Sequence, residues 1–247
     1  MKTKTSISRE NITWFDLETT GLDINVANLV SIYAVNNKLK YEIDTMINPE
    51  VIITEELTKI HNIDNKMVED KPVFANIINS VIKLFGKSKY IAGYNICNYD
   101  VPLIQSLFQR HNIEFDFSQI QFIDVYYIIK NVLDEVDLNS LERRNLSSVY
   151  KLVTGEDLVA HNAFNDVTAC IEILEILDDN GLPWRNYILT AQDLSGAIIS
   201  DPKWTMKTGK NAGKRIEWLI KNDKSYLQWM VKNNKLKFDT ILNNLIK

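Results

Sequence analysis

The stretch Trp14–Asp23, "WFDLETTGLD", decides how this chain is read. It begins as a buried strand: Ile12, Trp14, Phe15 and Leu17 are bulky apolar side chains within a short span, and such residues suit a covered, pleated surface. Asp16 and Glu18 interrupt that run. An unpaired carboxylate in a core is costly, so the two acids need either a partner or water. Residues i and i+2 of a strand point to one face, so Asp16 and Glu18 project together. Two arrangements satisfy them. The pair is a set of hard oxygen ligands for Mg²⁺ or Mn²⁺, or it is the solvent side of an edge strand. Thr19-Thr20-Gly21 then turns the backbone away and leaves N–H groups nearby.

Outward from this stretch, strands alternate with helices. "NLVSIYAVNN" (28–37) and "KYEIDTMINP" (40–49) read as strands joined at Asn36-Asn37-Lys38, which predicts a hairpin. "FANIINSVIKLFG" (74–86) is a helix: Phe74, Ile77, Ile78, Val81, Ile82 and Phe85 recur at helical spacing, and Gly86 closes it. "KYIAGYN" (89–95) is a fourth strand. "DVPLIQSLFQRHN" (100–112) is a helix with Pro102 in its first turn, where a missing N–H costs nothing. "QFIDVYYIIK" (121–130) reads as a fifth strand running into a helix. "NLSSVYKLVTG" (145–155) and "AFNDVTACIEILEILDDNG" (163–181) are two further helices, the second stopped at Asn180-Gly181. An opening hairpin followed by alternating elements predicts a mixed α/β sheet.

A length of 247 residues accommodates one large domain, or one domain with a small appendage. A 45% hydrophobic and 24% charged composition suits an ordinary globular core. No apolar run approaches the roughly 18 residues of a membrane span. The opening "MKTKTSISRENIT" carries basic residues with no apolar segment behind them, so no secretory signal is expected. Cys97 and Cys170 are too few for a disulfide framework or a zinc cluster, and a reducing, cytoplasmic setting is expected. The net charge of −4 conceals an asymmetry: residues 196–247 carry +7 and the rest −11. Such a tail either handles a polyanion or is a solvated lysine-rich face. Within it, "DPKWTMKTGKNAGKRIEWLIKNDKSYLQWMVKN" (201–233) predicts a hairpin punctuated by Gly209 and Gly213. A small core of Trp218, Leu219, Tyr226, Trp229 and Met230 is expected beside it.

Two more segments carry chemistry. In "IAGYNICNYDVPLI" (91–104), a strand of small residues leads to Asn95, and Asp100 opens a helix, as a cap or as a third acid. In "AHNAFNDVTAC" (160–170), His161 precedes a helix and Asp166 lies one turn inside it. Asp16-x-Glu18, Asp100 and His161-x-Ala-x-x-Asp166, in that order, resemble the DEDDh 3′→5′ exonucleases, a group that includes proofreading exonucleases and exonuclease X. "INPEVIITEELTKIHNIDNKMVEDKPVF" (47–74) is similar to the family's Asn-Pro…Ile-His-Gly-Ile segment, with Asn62 where glycine is usual. "YNICNYD" (94–100) resembles its Asn…Phe-Asp motif, with Tyr99 for Phe and one extra residue. Ser31 stands where many members carry an acid. The resemblance runs from about Ile12 to Leu177.

The resemblance implies an RNase H-like fold: a mixed five-stranded sheet flanked by helices over residues 1–190, with a small basic α+β module at 196–247. It implies that Asp16, Glu18, Asp100 and Asp166 hold two Mg²⁺ or Mn²⁺ ions, which stabilise the attacking and leaving oxygens of an in-line displacement. His161 would serve as general base, a role suited to an imidazole. The product would be a nucleoside 5′-monophosphate released from a 3′ end. Thr19, Gly21 and Leu22 would line the terminal nucleotide, with Leu22 wedged against a base, and His61, Asn95 and Tyr99 would lie near. The tail is similar to an exonuclease X-like module in which Gly-Lys-x-x-Gly-Lys precedes Tyr-Leu-x-Trp. Its lysines suit a phosphate backbone, and its aromatics either stack on bases or form the module's own core.

The expected substrate is therefore single-stranded or frayed DNA. RNA or a short oligoribonucleotide is the alternative, and a binding protein without chemistry is a third reading that the intact set of five residues argues against. Nucleic acid is the expected partner, with a polymerase or another replication or repair protein as a candidate second one, and no membrane.

Overall fold

The computed structural model describes residues 11–133, 138, 140–159, 162–191, 193–194, 218–219 and 222–232. The chain divides into two units, Met1–Ile188 and Leu189–Lys247.

The first unit is built on the strands β1 (Ile12–Thr19), β2 (Leu29–Asn36), β3 (Tyr41–Met46), β4 (Tyr90–Gly93) and β5 (Gln121–Asp124). They lie in the order β3-β2-β1-β4-β5. β1 runs antiparallel to β2 and parallel to β4; β3 is antiparallel to β2, and β5 parallel to β4. This is the mixed sheet with an opening hairpin that the alternation of elements predicts. The hairpin turn is shaped by Asn36, whose side-chain oxygen accepts from the Leu39 N–H at 3.0 Å. The amide end of Asn36 donates to Asn11 Oδ1 at 2.9 Å and Thr13 Oγ1 at 3.1 Å. A buried asparagine thereby finds partners and ties the hairpin to the start of β1.

Helices cover both faces. Those described in the first unit are α1 (Glu55–His61), α2 (Asn65–Val68), α3 (Phe74–Gly86), α4 (Asp100–Arg110), α5 (Val125–Val132), α6 (Leu146–Thr154) and α7 (Ala163–Asp179). A 3₁₀ turn follows at Trp184–Tyr187. Alternation along β1 sorts its side chains. Ile12 and Trp14 join a buried cluster with Val149, Val167, Ile173 and Trp184. Phe15 points the other way and meets the Phe85 ring of α3 edge-on at 5.3 Å. The central strand is thus covered on both sides, and α7 packs against β1 and β2.

Periodicity does not predict helices α1 and α2, because each is too short to show one. Capping marks them instead. The Thr54 hydroxyl accepts from the Leu57 N–H at 3.4 Å, and Asn62 ends α1 at φ 58°, its N–H bonding the Thr58 carbonyl at 2.8 Å. Left-handed backbone there suits Asn or Gly, which accounts for Asn at a position where glycine is usual.

In the second unit the described elements are a two-residue strand, Leu189–Thr190, and a helix, α8 (Lys224–Lys232). Neither is among the elements that the sequence pattern predicts. The expected aromatic core is corrected in part. Leu219 is buried, but Trp218 and Trp229 are exposed. Tyr226 and Trp229 are three apart on α8, so they share a face; their rings stack at 6.1 Å with 18° between planes. The side chain of Met230 and the hairpin at Gly209 and Gly213 lie outside the described residues.

Candidate active site

β1 delivers the first two acids. Asp16 lies opposite Tyr33 and Glu18 opposite Ser31 of β2, and the register shifts between Glu18 and Thr19, the last residue of the strand, which still pairs with Leu29. α7 delivers Asp166 in its first turn. That helix starts where the Asn162 side chain accepts from the Asn165 N–H at 3.2 Å, a side-chain cap that fixes the first turn. One carboxylate oxygen from each of Asp16, Glu18 and Asp166 lies within 4.8 Å of the others. The i, i+2 pair of the strand is therefore joined by a third acid from 148 residues farther along the chain.

Asp100, the first residue of α4, is buried. Its approach depends on a close passage. A Cβ on Gly93 would stand 2.6 Å from the Phe15 carbonyl oxygen, so only glycine lets β4 end beside β1. The loop onward is held by Asp124, at the end of β5. Asp124 Oδ1 accepts from the N–H groups of Asn95 (3.0 Å) and Tyr127 (3.1 Å), and Oδ2 accepts from Cys97 N–H at 3.0 Å. Sequence reasoning does not single out Asp124. The available signal is an acid closing the strand "QFID" immediately before a helix, the place of an N-cap.

The electrostatics follow from this crowding. Burial first, and then the charges of Asp100, Asp166 and Glu18, hold the Asp16 carboxyl well above the usual range. Burial and Asp166 push Glu18 up to about 7. Asp100 is also raised, by burial and then by Asp124 and Glu18, against a backbone hydrogen bond that lowers it. Crowded carboxylates resist ionising together. A divalent cation removes that resistance, and an all-oxygen donor set is the kind such hard cations take. The residues present fit a divalent metal.

Beside the acids, the turn after β1 is closed by hydroxyls. Thr19 Oγ1 lies 2.7 Å from Tyr99 Oη and donates to the Gly21 carbonyl at 3.1 Å; Tyr99 also donates to that carbonyl. Leu22, next in the chain, is 86% exposed, a cost in water that an apolar partner would remove. His61 is buried, and its Nδ1 accepts from the Ile63 N–H at 3.1 Å. His61 and Glu18 line one cavity of about 410 Å³, together with Ser31, Asn62 and Phe164. Leu22, Asn95 and Tyr99 are not part of its lining. Asn95, at φ 58°, belongs to the loop held by Asp124, and its side-chain oxygen accepts from Asn98 Nδ2 at 2.7 Å. His161 lies outside the described residues. The structure thus brings together Asp16, Glu18 and Asp166, sets the Asp100 charge close enough to act on Asp16, and joins Thr19, Gly21 and Tyr99 in one hydrogen-bonded group.

The chain is similar to known proteins. The RNase_T family model, described as an exonuclease, matches residues 13–174. A PolC-type DNA polymerase III from Caldanaerobacter subterraneus subsp. tengcongensis is 29% identical over 181 residues, 68% of this chain and 12% of the relative. The DNA polymerase III subunit epsilon of Treponema pallidum is 27% identical over 169 residues, 65% of this chain and 73% of that one. Among solved structures, the zinc-bound E. coli ExoI–ssDNA complex superposes with a TM-score of 0.59 at 17% identity, over 71% of this chain and 42% of that chain. That likeness is one of fold. The chain accordingly spans a small part of the PolC-type polymerase and under half of ExoI. Among the described residues no helix is long and apolar enough to cross a membrane.

Proposed function

The chain belongs to the exonuclease family, and from that premise we propose that it hydrolyses single-stranded or frayed DNA from the 3′ end, releasing nucleoside 5′-monophosphates. One observation carries the reading: three carboxylates from β1 and α7 converge to within 4.8 Å, with a fourth, Asp100, buried and acting on Asp16 through its charge. Asp16, Glu18, Asp100 and Asp166 are the residues to hold two Mg²⁺ or Mn²⁺ ions. Bound there, such ions stabilise charge on the attacking and leaving oxygens of a phosphodiester.

The chain's own groups do the rest. His161 takes the proton of the attacking water, a task matched to an imidazole's ordinary pKa. The Thr19–Gly21–Tyr99 group holds the turn that presents Leu22, and Leu22 meets the terminal base. His61 and Asn95 complete the surroundings of that nucleotide. DNA is preferred over RNA because the two polymerase relatives are named for DNA synthesis and the ExoI structure for single-stranded DNA. A polymerase or another replication or repair protein is the candidate partner on the same ground. Residues 196–247, within the second unit, form a nucleic-acid-binding module, supported by their +7 charge and the exposed Trp218 and Trp229. Free Cys97 and Cys170 fit a reducing cytoplasm.

Strands of DNA and RNA of one sequence, labelled at the 5′ end, test this with Mg²⁺ or Mn²⁺ and with a chelator. The expected result is stepwise shortening of DNA from the 3′ end, faster than RNA and abolished by the chelator. Faster degradation of RNA would move the assignment to RNA. Cleavage of neither strand would refute it.

A further inference from the structure

The loop between β1 and β2 carries two apolar side chains, Leu22 and Val26, that stand in water. Its base is closed from within: Thr20 N–H donates to the Asn28 carbonyl at 3.0 Å, and Asn28 N–H donates to Thr20 Oγ1 at 2.9 Å. From outside, α4 and the residue before it supply two anchors. Tyr99 holds the entering arm through the Gly21 carbonyl. Arg110, at the far end of α4, holds the leaving arm. One guanidinium nitrogen donates to Asn28 Oδ1 at 2.9 Å, and the other donates to the Ala27 carbonyl. Asn28 is itself braced, its Nδ2 donating to the Pro49 carbonyl at 2.9 Å.

Arg110 lies 82 residues from Asn28 in sequence, so this clamp is a tertiary one. A guanidinium presents its donors in a fixed planar fork. Here the fork spans two acceptors on adjacent residues, which sets both the position and the orientation of the loop's exit. The helix that carries this fork also carries Asp100 at its first position. One rigid element therefore joins Asp100 to the loop that presents Leu22 and Val26.

We infer that Arg110 is a positioning residue for substrate: it fixes the β1–β2 loop so that Leu22 and Val26 meet the nucleotides of a single strand whose phosphate lies at the acids. The inference rests on the exonuclease reading above. Arg110 itself touches no reacting atom, so its loss acts on substrate binding and leaves the chemical step alone.

The test compares Arg110→Ala, Arg110→Lys and Leu22→Ala in the full chain on oligothymidylate and on bis(4-nitrophenyl) phosphate, which offers no nucleotide to the loop. Arg110→Ala is expected to raise KM for oligothymidylate about tenfold, the worth of one charge-assisted hydrogen bond. Its kcat, and its rate on the small diester, stay at the wild-type level. Arg110→Lys keeps the charge but loses the fork, and falls between. Adding Arg110→Ala to Leu22→Ala raises KM by less than the product of the two single effects, because both act through one loop and only the Val26 contact is left to lose. An unchanged KM, an equal loss on both substrates, or full additivity in the double variant would overturn the proposal. Should Arg110→Ala fail to fold, the Arg110→Lys comparison decides by the same KM-against-kcat split. A wild-type chain that cleaves neither substrate would instead refute the exonuclease reading.

Discussion

Asp16, Glu18, Asp100 and Asp166 are expensive residues in the metal-free protein. Asp16→Ala and Asp166→Ala should each lower nuclease turnover by at least about 100-fold, since even outer-shell partners of a metal are worth 10–100-fold. Each should also raise the melting temperature measured in chelator, because a buried like charge is removed. A pH series exposes the same tension. Glu18 has a folded pKa near 7, above its ordinary value, so the folded state binds more protons than the unfolded one between about 4.5 and 7. Stability in chelator should therefore fall as pH rises through that window, by at least about 3 °C in melting temperature. With Mn²⁺ present the trend should reverse, because deprotonated ligands bind metal. Melting scans across pH, with and without metal, check both slopes. His161→Ala should lose about 10²–10⁴ in turnover and keep its Mn²⁺ affinity in calorimetric titration; a large loss of affinity would make His161 a ligand instead of a base.

The loop between β4 and α4 shows how an element depends on one side chain outside it. Asp124 accepts three N–H groups and is 1% exposed. Asp124→Ala leaves those donors unsatisfied in a buried place and should cost about 2–3 kcal/mol in denaturant unfolding. It should also weaken metal binding, because Asp100 is carried by the helix that this loop enters. Asp124→Asn keeps the shape and one acceptor oxygen, and should recover part of both losses. Stability lost with metal affinity intact would mean that Asp124 shapes the loop without orienting Asp100.

On the scale of the whole molecule the charge is divided: −11 over the first 195 residues and +7 over the last 52. Truncation after Ser195 removes the basic segment and spares every acid of the cluster. The shortened chain should keep its turnover on a very short oligonucleotide and grip long strands less well. Each phosphate that the tail neutralises steepens the dependence of log K on log[salt] by about 0.7 for single strands, so the full chain should show the steeper slope. Binding of an Asp16→Ala chain to a long strand across a salt series, with and without the tail, gives both slopes. Equal slopes would mean that the lysines are only solvated.

The amino-acid order determined the α/β alternation, the β2–β3 hairpin and the shared face of Asp16 and Glu18, because helical periodicity, tight turns and i, i+2 geometry are local; it made Asp100 and Asp166 candidate ligands only through their resemblance to the DEDDh motifs. It also marked His161, on a motif that ends at Asp166. Short α1 and α2 escape such reading because fewer than two or three turns show no period, and their local signs are caps: Thr54 and Asn62 for α1, Asp64 for α2. Asp124 escapes because what makes an acid structural is which N–H groups surround it, and two of its three come from a loop 27–29 residues upstream. Likewise "R" at 110 is an ordinary helix-end cation until folding sets it beside Ala27 and Asn28. Local order selects elements and candidate ligands. Only tertiary packing decides which distant groups meet, because hydrogen bonds and ion repulsion act over a few ångströms of space and not along the chain.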